Sequence, residues 1–125
     1  KNLKLKLNKF TMPELSIDQK QFITTGNESG LATDATIFCY FEEDAIVTGT
    51  YNGGEITSGQ VVGKRLPKNR LELVFQCLTK EGELKSGQSE GYVSINEAGK
   101  LTLSFDWNWL TGDKSGGKSF YIEKE

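Results

Sequence analysis

Four glycines recur at nearly regular intervals along the chain. Gly26, Gly54 and Gly82 lie 28 residues apart, and Gly112 follows after 30. Each is followed by an Asn or an acidic residue, and then within five residues by a Ser-Gly pair: Ser29-Gly30, Ser58-Gly59, Ser86-Gly87 and Ser115-Gly116. Self-similarity at a fixed period indicates one small structural unit used several times. This repeat restricts the possible folds more than any other feature.

The repeated unit has the character of two antiparallel strands. Glycines in turns such as Asn52-Gly53-Gly54 and Glu81-Gly82 supply the positive φ of a tight hairpin. A Ser-Gly pair inside the following strand predicts a bulge or a sharp bend. Strands are predicted near 19–25, 31–41, 45–51, 55–65, 70–79, 83–95, 100–110 and 115–124, with a further strand at 3–10 and a short helical turn at 12–19.

These strands predict an all-β fold, an antiparallel up-and-down β-barrel of about eight strands. Sequential strands with short turns leave two open edges, and closure into a barrel removes them. The alternatives are a β-sandwich and an open repeat sheet. A chain of 125 residues is the length of one domain, so we expect residues 1–125 to form a single barrel domain.

Alternation of apolar and polar residues predicts which side chains face the barrel interior. Two strands alternate clearly, and their apolar faces are Leu101, Leu103, Phe105, Trp107 and Trp109, and Leu71, Leu73, Phe75 and Cys77. The strand around residue 39 is apolar on both faces. Either Phe38 and Tyr40 point inward, or Ile37, Cys39 and Phe41 do.

An aromatic interior suggests a binding site for a small apolar or aromatic ligand. The candidate ligand-binding residues are Trp107, Trp109, Phe105, Phe75 and Tyr40. Trp109 lies near a strand end, where an indole would sit at the barrel mouth through which a ligand enters. The competing interpretation is that the same side chains fill the core.

Composition excludes several classes of function. The chain has no histidine, which removes histidine-based acid–base catalysis and most transition-metal sites. Its net charge of −2 does not suit a nucleic-acid surface. No apolar run approaches the roughly 18 residues of a membrane-spanning helix. We therefore expect no nucleic-acid or membrane partner, no cofactor, no metal and no identifiable catalytic residue, while the oligomeric state is left open.

Cys39 and Cys77 both lie within apolar strand-like runs. We expect two buried, reduced thiols in a cytoplasmic protein, since two cysteines are too few for a disulfide framework. One disulfide, in an oxidising compartment, is the alternative.

Three charged or glycine-rich segments are interpreted as turns exposed to solvent. They are the acidic run at 42–44, the basic residues Lys64, Arg65, Lys68 and Arg70, and the segment 112–119. The last matches the spacing of a phosphate-binding loop, but a strand-like sequence follows where that loop requires a helix.

The motifs resemble those of a family of small bacterial proteins commonly labelled N-acetylglutamate synthase. The resemblance covers about residues 30–125 and is most specific at Trp107-Asn108-Trp109 with Gly112-Asp113, Ser115 and Gly117. It implies a lipocalin- or avidin-like barrel. Acetyl transfer does not fit, because it requires an α/β domain for acetyl-CoA.

Three functions follow from these expectations. The favoured one is a barrel that binds a small ligand in its lumen and is not an enzyme. A cyclase or isomerase that acts by shape and orientation is the second. A structural or interaction protein with a filled core is the third.

Overall fold

The structure is a computed structural model that describes residues 14–27 and 30–124. The strand predicted at 3–10 and the start of the turn predicted at 12–19 lie outside these residues. The described part, 14–19, contains no helix and ends in a turn at Asp18 and Gln19, where the Lys20 N–H donates to the Ile17 carbonyl at 3.2 Å.

Eight antiparallel strands form one closed barrel. They are β1 (Lys20–Asn27), β2 (Ile37–Glu43), β3 (Ile46–Gly53), β4 (Ile56–Leu66), β5 (Arg70–Thr79), β6 (Leu84–Ile95), β7 (Leu101–Trp109) and β8 (Gly116–Glu123). Each strand pairs with its neighbours in sequence, and β8 pairs with β1. This confirms the predicted all-β, up-and-down barrel and excludes the sandwich and the open sheet.

The prediction for the second strand was wrong at its start. Residues 31–36 form a loop, because Thr36 closes a turn in which its backbone N–H donates to the Thr33 carbonyl at 2.9 Å. The buried Thr36 hydroxyl also donates to the Gly53 carbonyl at 3.0 Å. The loop is thereby fixed to the β3–β4 turn.

The repeated glycines behave as predicted in three copies. Gly54, Gly82 and Gly112 have φ of +61°, +86° and +65° in the turns between strands. Gly26 differs, since it lies inside β1 at a shift in the register with β8. The predicted bulge is present beside Ser58, where the β4–β5 register shifts, whereas β5 and β6 pair regularly across Ser86 and Gly87.

One end of the barrel is closed by the segment before β1. Ile17 is fully buried and belongs to the same apolar cluster as Phe22, Leu71 and Leu103. Its backbone N–H donates to Glu42 Oε1 at 3.1 Å, and the Leu15 carbonyl accepts from Arg65 Nη2 at 2.6 Å. The N-terminal segment therefore caps the lumen.

A buried ion pair holds this cap in place. Arg65 donates to both carboxylate oxygens of Glu42, from Nε and Nη2, each at 2.8 Å. The two side chains are only 6% and 13% exposed. The interpretation of both as solvated turn residues was wrong. Glu42 and Arg65 continue the inward-facing series of side chains on β2 and β4, so they meet inside the barrel at its capped end.

The two cysteines are unpaired, as expected. Cys77 is buried in the lumen, but Cys39 is only half-buried because it lies on the outer face of β2. The expectation that both are buried was therefore wrong for Cys39. Across 14–27 and 30–124, no helix long and apolar enough to cross a membrane is found.

Candidate functional site

The lumen contains a cavity towards the end of the barrel opposite the cap. In an up-and-down barrel, alternate hairpins lie at the same end, so the β1–β2, β3–β4, β5–β6 and β7–β8 connections surround the uncapped mouth. Gly30, Leu31 and Ala32 of the β1–β2 loop border the cavity, as does Trp109 at the end of β7.

Eight of the eighteen residues that line the cavity are aromatic. They are Phe38, Tyr40, Tyr51, Phe75, Phe105, Trp107, Trp109 and Tyr121. About 60 Å³ of the space between the walls is accessible to the centres of water molecules, and one water needs roughly 10–15 Å³ on this measure. The lumen is therefore not completely filled by its own side chains.

The rings contact one another in two groups, one made of Phe75, Trp107 and Trp109 and the other including Phe38 and Tyr51. Trp107 and Trp109 meet edge to face with centroids 5.2 Å apart, and Phe75 meets Trp109 in the same way at 5.7 Å. Phe38 stacks on Tyr51 at 4.8 Å. Edge-to-face and offset contacts are the favoured arrangements of aromatic pairs, so the wall is pre-formed.

Glycines on neighbouring strands make room for these rings. Phe75 pairs with Gly87, and a Cβ on Gly87 would lie 2.4 Å from the Phe75 ring. Phe105 pairs with Gly91, where a Cβ would lie 2.7 Å from that ring. Each ring can therefore lie along the wall instead of projecting across the lumen, and the central space stays open.

The titratable groups of the lumen are held neutral. Burial is the largest cause that raises the pKa of Tyr40 and of Tyr51 well above 10. Burial also raises the pKa of Tyr121 and of the Cys77 thiol above their ordinary values. Because desolvation disfavours the charged forms, the described part of the cavity wall carries no charge at neutral pH.

A cation lies at the mouth. Lys85 pairs with Cys77 across β5 and β6, and its Nζ sits 4.4 Å from the centroid of the Trp109 ring. A lysine over an indole face is a favourable cation–π contact. This contact holds one face of Trp109 at the edge of the lumen.

The residues that line the cavity include several with uncharged polar groups: Asn27, two serines and three tyrosines. Ser89 and Ser119 are buried and line it. Among the described residues, Trp107 Nε1 is the one buried side-chain nitrogen or oxygen with no hydrogen-bond partner. Within the same residues, no three His, Cys, Asp or Glu side chains converge as metal ligands.

All five residues proposed from the sequence line this cavity: Trp107, Trp109, Phe105, Phe75 and Tyr40. Their role in binding a ligand stays a prediction. The structure also settles the ambiguous strand, since Phe38 and Tyr40 point inward while Phe41 is 50% exposed.

Sequence reasoning missed Tyr51, Tyr121 and the loop residues Leu31 and Ala32 as cavity residues. The alternation of Val47, Gly49 and Tyr51 along β3 was the available signal for Tyr51. No comparable pattern marks Leu31 and Ala32, because they lie in an irregular loop.

The comparisons with known proteins agree with this architecture. Residues 15–124 match the family described as avidin-like protein. The chain therefore belongs to the avidin-like family.

Among solved structures, apo shwanavidin in its P1 form has a TM-score of 0.62 at 11% identity, covering 90% of this chain and all of that chain. The P21 form of apo shwanavidin has a TM-score of 0.63 at 13% identity, covering 90% and 99%. A structure titled AVR2 has a TM-score of 0.61 at 15% identity, covering 91% and 99%. At these identities the likeness concerns the fold. No curated protein matches the chain.

Proposed function

We propose that this protein binds a small, flat, predominantly apolar or aromatic ligand in the lumen of its barrel. The observation that carries the proposal is the incompletely filled cavity at the uncapped end, walled by aromatic rings. A filled core would leave no such space, since protein interiors normally pack to the density of organic crystals.

The form of the cavity supports a flat ligand. Trp107 and Trp109 line it as buried indoles, and Tyr51 and Phe38 stack on each other beside it. A planar apolar molecule can contact such rings by stacking or edge to face. The neutral wall also favours an uncharged ligand body, because an unpaired charge in an apolar site is strongly disfavoured.

Binding is favoured over catalysis by the state of the lumen groups. Tyr40, Tyr51, Tyr121 and Cys77 all have raised pKa values, so they remain protonated at neutral pH and cannot act as bases. Among the described residues that line the cavity there is no Asp or Glu. A cyclase or isomerase that works by shape alone remains the second hypothesis. Release of the bound ligand in chemically unchanged form would support binding over catalysis.

Two further predictions accompany this proposal. The resemblance of the sequence motifs to bacterial proteins labelled N-acetylglutamate synthase predicts a shared barrel without acetyl transfer, and protein-dependent release of CoA from acetyl-CoA with glutamate would contradict it. We also propose a reducing, cytoplasmic location, in keeping with the unpaired Cys39 and Cys77.

Naphthalene provides a direct test, because it is flat, apolar and uncharged. Both tryptophans of the chain lie in the cavity wall, so their fluorescence reports binding. We expect a saturable change in the native protein. Ser89→Leu, which places a larger side chain in the lumen, should abolish that change.

Ser94→Leu is the matched control, since Ser94 lies on the same strand but on its exposed face. It should bind naphthalene as the native protein does, and circular dichroism verifies that both variants fold. If naphthalene does not bind, or binds equally to both folded variants, the lumen is not the site.

A further inference from the structure

The buried indole N–H of Trp107 has no hydrogen-bond acceptor among the described residues. Trp107 is 8% exposed and lines the cavity. An indole N–H can only donate, and buried tryptophans usually find an acceptor. A buried donor without an acceptor costs free energy, so any acceptor that reaches it stabilises the native state.

The residues that pair with Trp107 on the neighbouring strands are small, while the Nε1 atom itself has almost no surface accessible to water. Trp107 on β7 pairs with Ser89 on β6 and with Gly117 on β8. The serine side chain is small and the glycine has none, so neither neighbour covers the indole as a large residue would. Trp107 is also held by Trp109, whose ring centroid lies 5.2 Å away at an interplanar angle of 74°. The donor is thus fixed in position within the wall.

We infer that the ligand of this lumen carries a hydrogen-bond acceptor, such as a carbonyl oxygen or a ring nitrogen, that receives the Nε1–H of Trp107. This inference rests on the proposed function and specifies the chemistry of its ligand: a flat apolar body with one acceptor directed at the β6–β7 wall. Trp107 is then the residue that sets orientation and specificity, while the other rings supply apolar contact.

The acceptor is a neutral group. The tyrosines and the thiol of the lumen have pKa values raised by burial, which shows that this environment disfavours charge. The nearby cation Lys85 lies over the Trp109 ring and is not part of the cavity wall. A carboxylate placed beside Trp107 would therefore lose its hydration without gaining a counter-ion.

The test compares three compounds of nearly the same shape: naphthalene, quinoline and isoquinoline. The last two differ from naphthalene by one ring nitrogen, placed at different positions, which is a neutral acceptor. Their dissociation constants are measured by calorimetry above pH 7 for the native protein and for Trp107→Phe. Trp107→Phe keeps an aromatic ring in the wall, removes the donor and leaves a smaller ring, and this change of size is common to all three compounds.

We expect the better of the two nitrogen compounds to lose roughly 3- to 10-fold in affinity relative to naphthalene when Trp107 becomes Phe. Trp109→Phe is the matched control: it can weaken all three compounds, but it should leave their ratio as in the native protein. A ratio unchanged by Trp107→Phe would overturn the inference.

A second measurement does not depend on the stability of that variant. In ¹⁵N–¹H spectra of the native protein the two indole resonances are assigned with Trp109→Phe. The Trp107 Hε1 resonance should move downfield with quinoline or isoquinoline and not with naphthalene. If naphthalene binds and neither nitrogen compound moves this resonance downfield, the inference fails while the proposed function stands. If none of the three binds, both fail.

Discussion

The Tyr51 ring lies across the backbone of Gly59 on the neighbouring strand. A Cβ on Gly59 would lie 2.5 Å from the ring, which is too close for any side chain to fit at this position. By crossing the glycine, the Tyr51 hydroxyl reaches β5 and donates to the Gln76 carbonyl at 3.1 Å. The position of a cavity ring thus depends on the absence of a side chain one strand away.

This relationship predicts that Gly59→Val displaces Tyr51 and destabilises the barrel. Overpacking a filled site typically costs about 1–3 kcal/mol, and the hydrogen bond to Gln76 would be lost in addition. Chemical denaturation measures the effect. Gln60→Val, at the adjacent exposed position, is the control and should change stability by no more than about 0.5 kcal/mol. Equal effects of the two substitutions would contradict the proposed packing.

The closed end of the barrel should be sensitive to acid. Hydrogen bonds from Arg65 hold the pKa of the Glu42 carboxyl below its ordinary value of 4.5. A depressed pKa contributes stability that is complete above the unfolded-state pKa and is lost as pH falls through the folded-state value. We therefore expect the free energy of unfolding of the native protein to decline below about pH 5.

Glu42→Gln should destabilise the protein at pH 7 by at most about 3–5 kcal/mol, since it leaves the buried Arg65 with only the half-exposed Glu14 carboxylate, 3.9 Å away, as a counter-ion. The acid-dependent decline should also become shallower. The control is Glu72→Gln, which removes the exposed pair with Lys64 at 3.5 Å and should cost at most about 1 kcal/mol. Thermal unfolding from pH 3 to 7 provides the measurement. An unchanged pH profile in Glu42→Gln would refute this assignment.

The two thiols should react at different rates. Cys77 lies buried in the lumen and burial raises its pKa, whereas Cys39 is half-buried on the outer face of β2. Because the thiolate is the reactive form, Cys77 should label more slowly than Cys39 and its rate should still rise above pH 9. Titration with a chromogenic disulfide reagent, using Cys39→Ser to isolate Cys77, measures both rates. Labelling of Cys77 as fast as Cys39 would place it outside the lumen.

Much of the barrel could be predicted because its strands alternate. In β7 the series Leu101, Leu103, Phe105, Trp107 and Trp109 faces inward as the pattern requires. The turn glycines Gly54, Gly82 and Gly112 marked the ends of hairpins by their need for positive φ. Closure of β8 onto β1 followed from the edges that an open sheet would leave unpaired.

The parts that escaped prediction depend on contacts between strands distant in sequence. β2 is apolar on both faces, so only packing against β3 could decide that Phe38 and Tyr40 point inward. Glu42 and Arg65 continue the alternation of inward-facing residues along β2 and β4. The sequence does not show that these two side chains meet, because their contact depends on how the strands are arranged in the folded barrel. Whether rings fill a lumen or surround a cavity depends on their rotamers, which alternation does not specify.

If the aromatic cavity binds a flat apolar ligand, such a ligand should be found inside the barrel in a crystal. Crystals grown with 2-bromonaphthalene would reveal its bromine by anomalous scattering. We expect one strong peak inside the lumen, in contact with the rings of Phe75, Trp107 and Trp109. A lumen without bromine at saturating concentration, or a peak confined to the outer surface of the barrel, would contradict the proposed function.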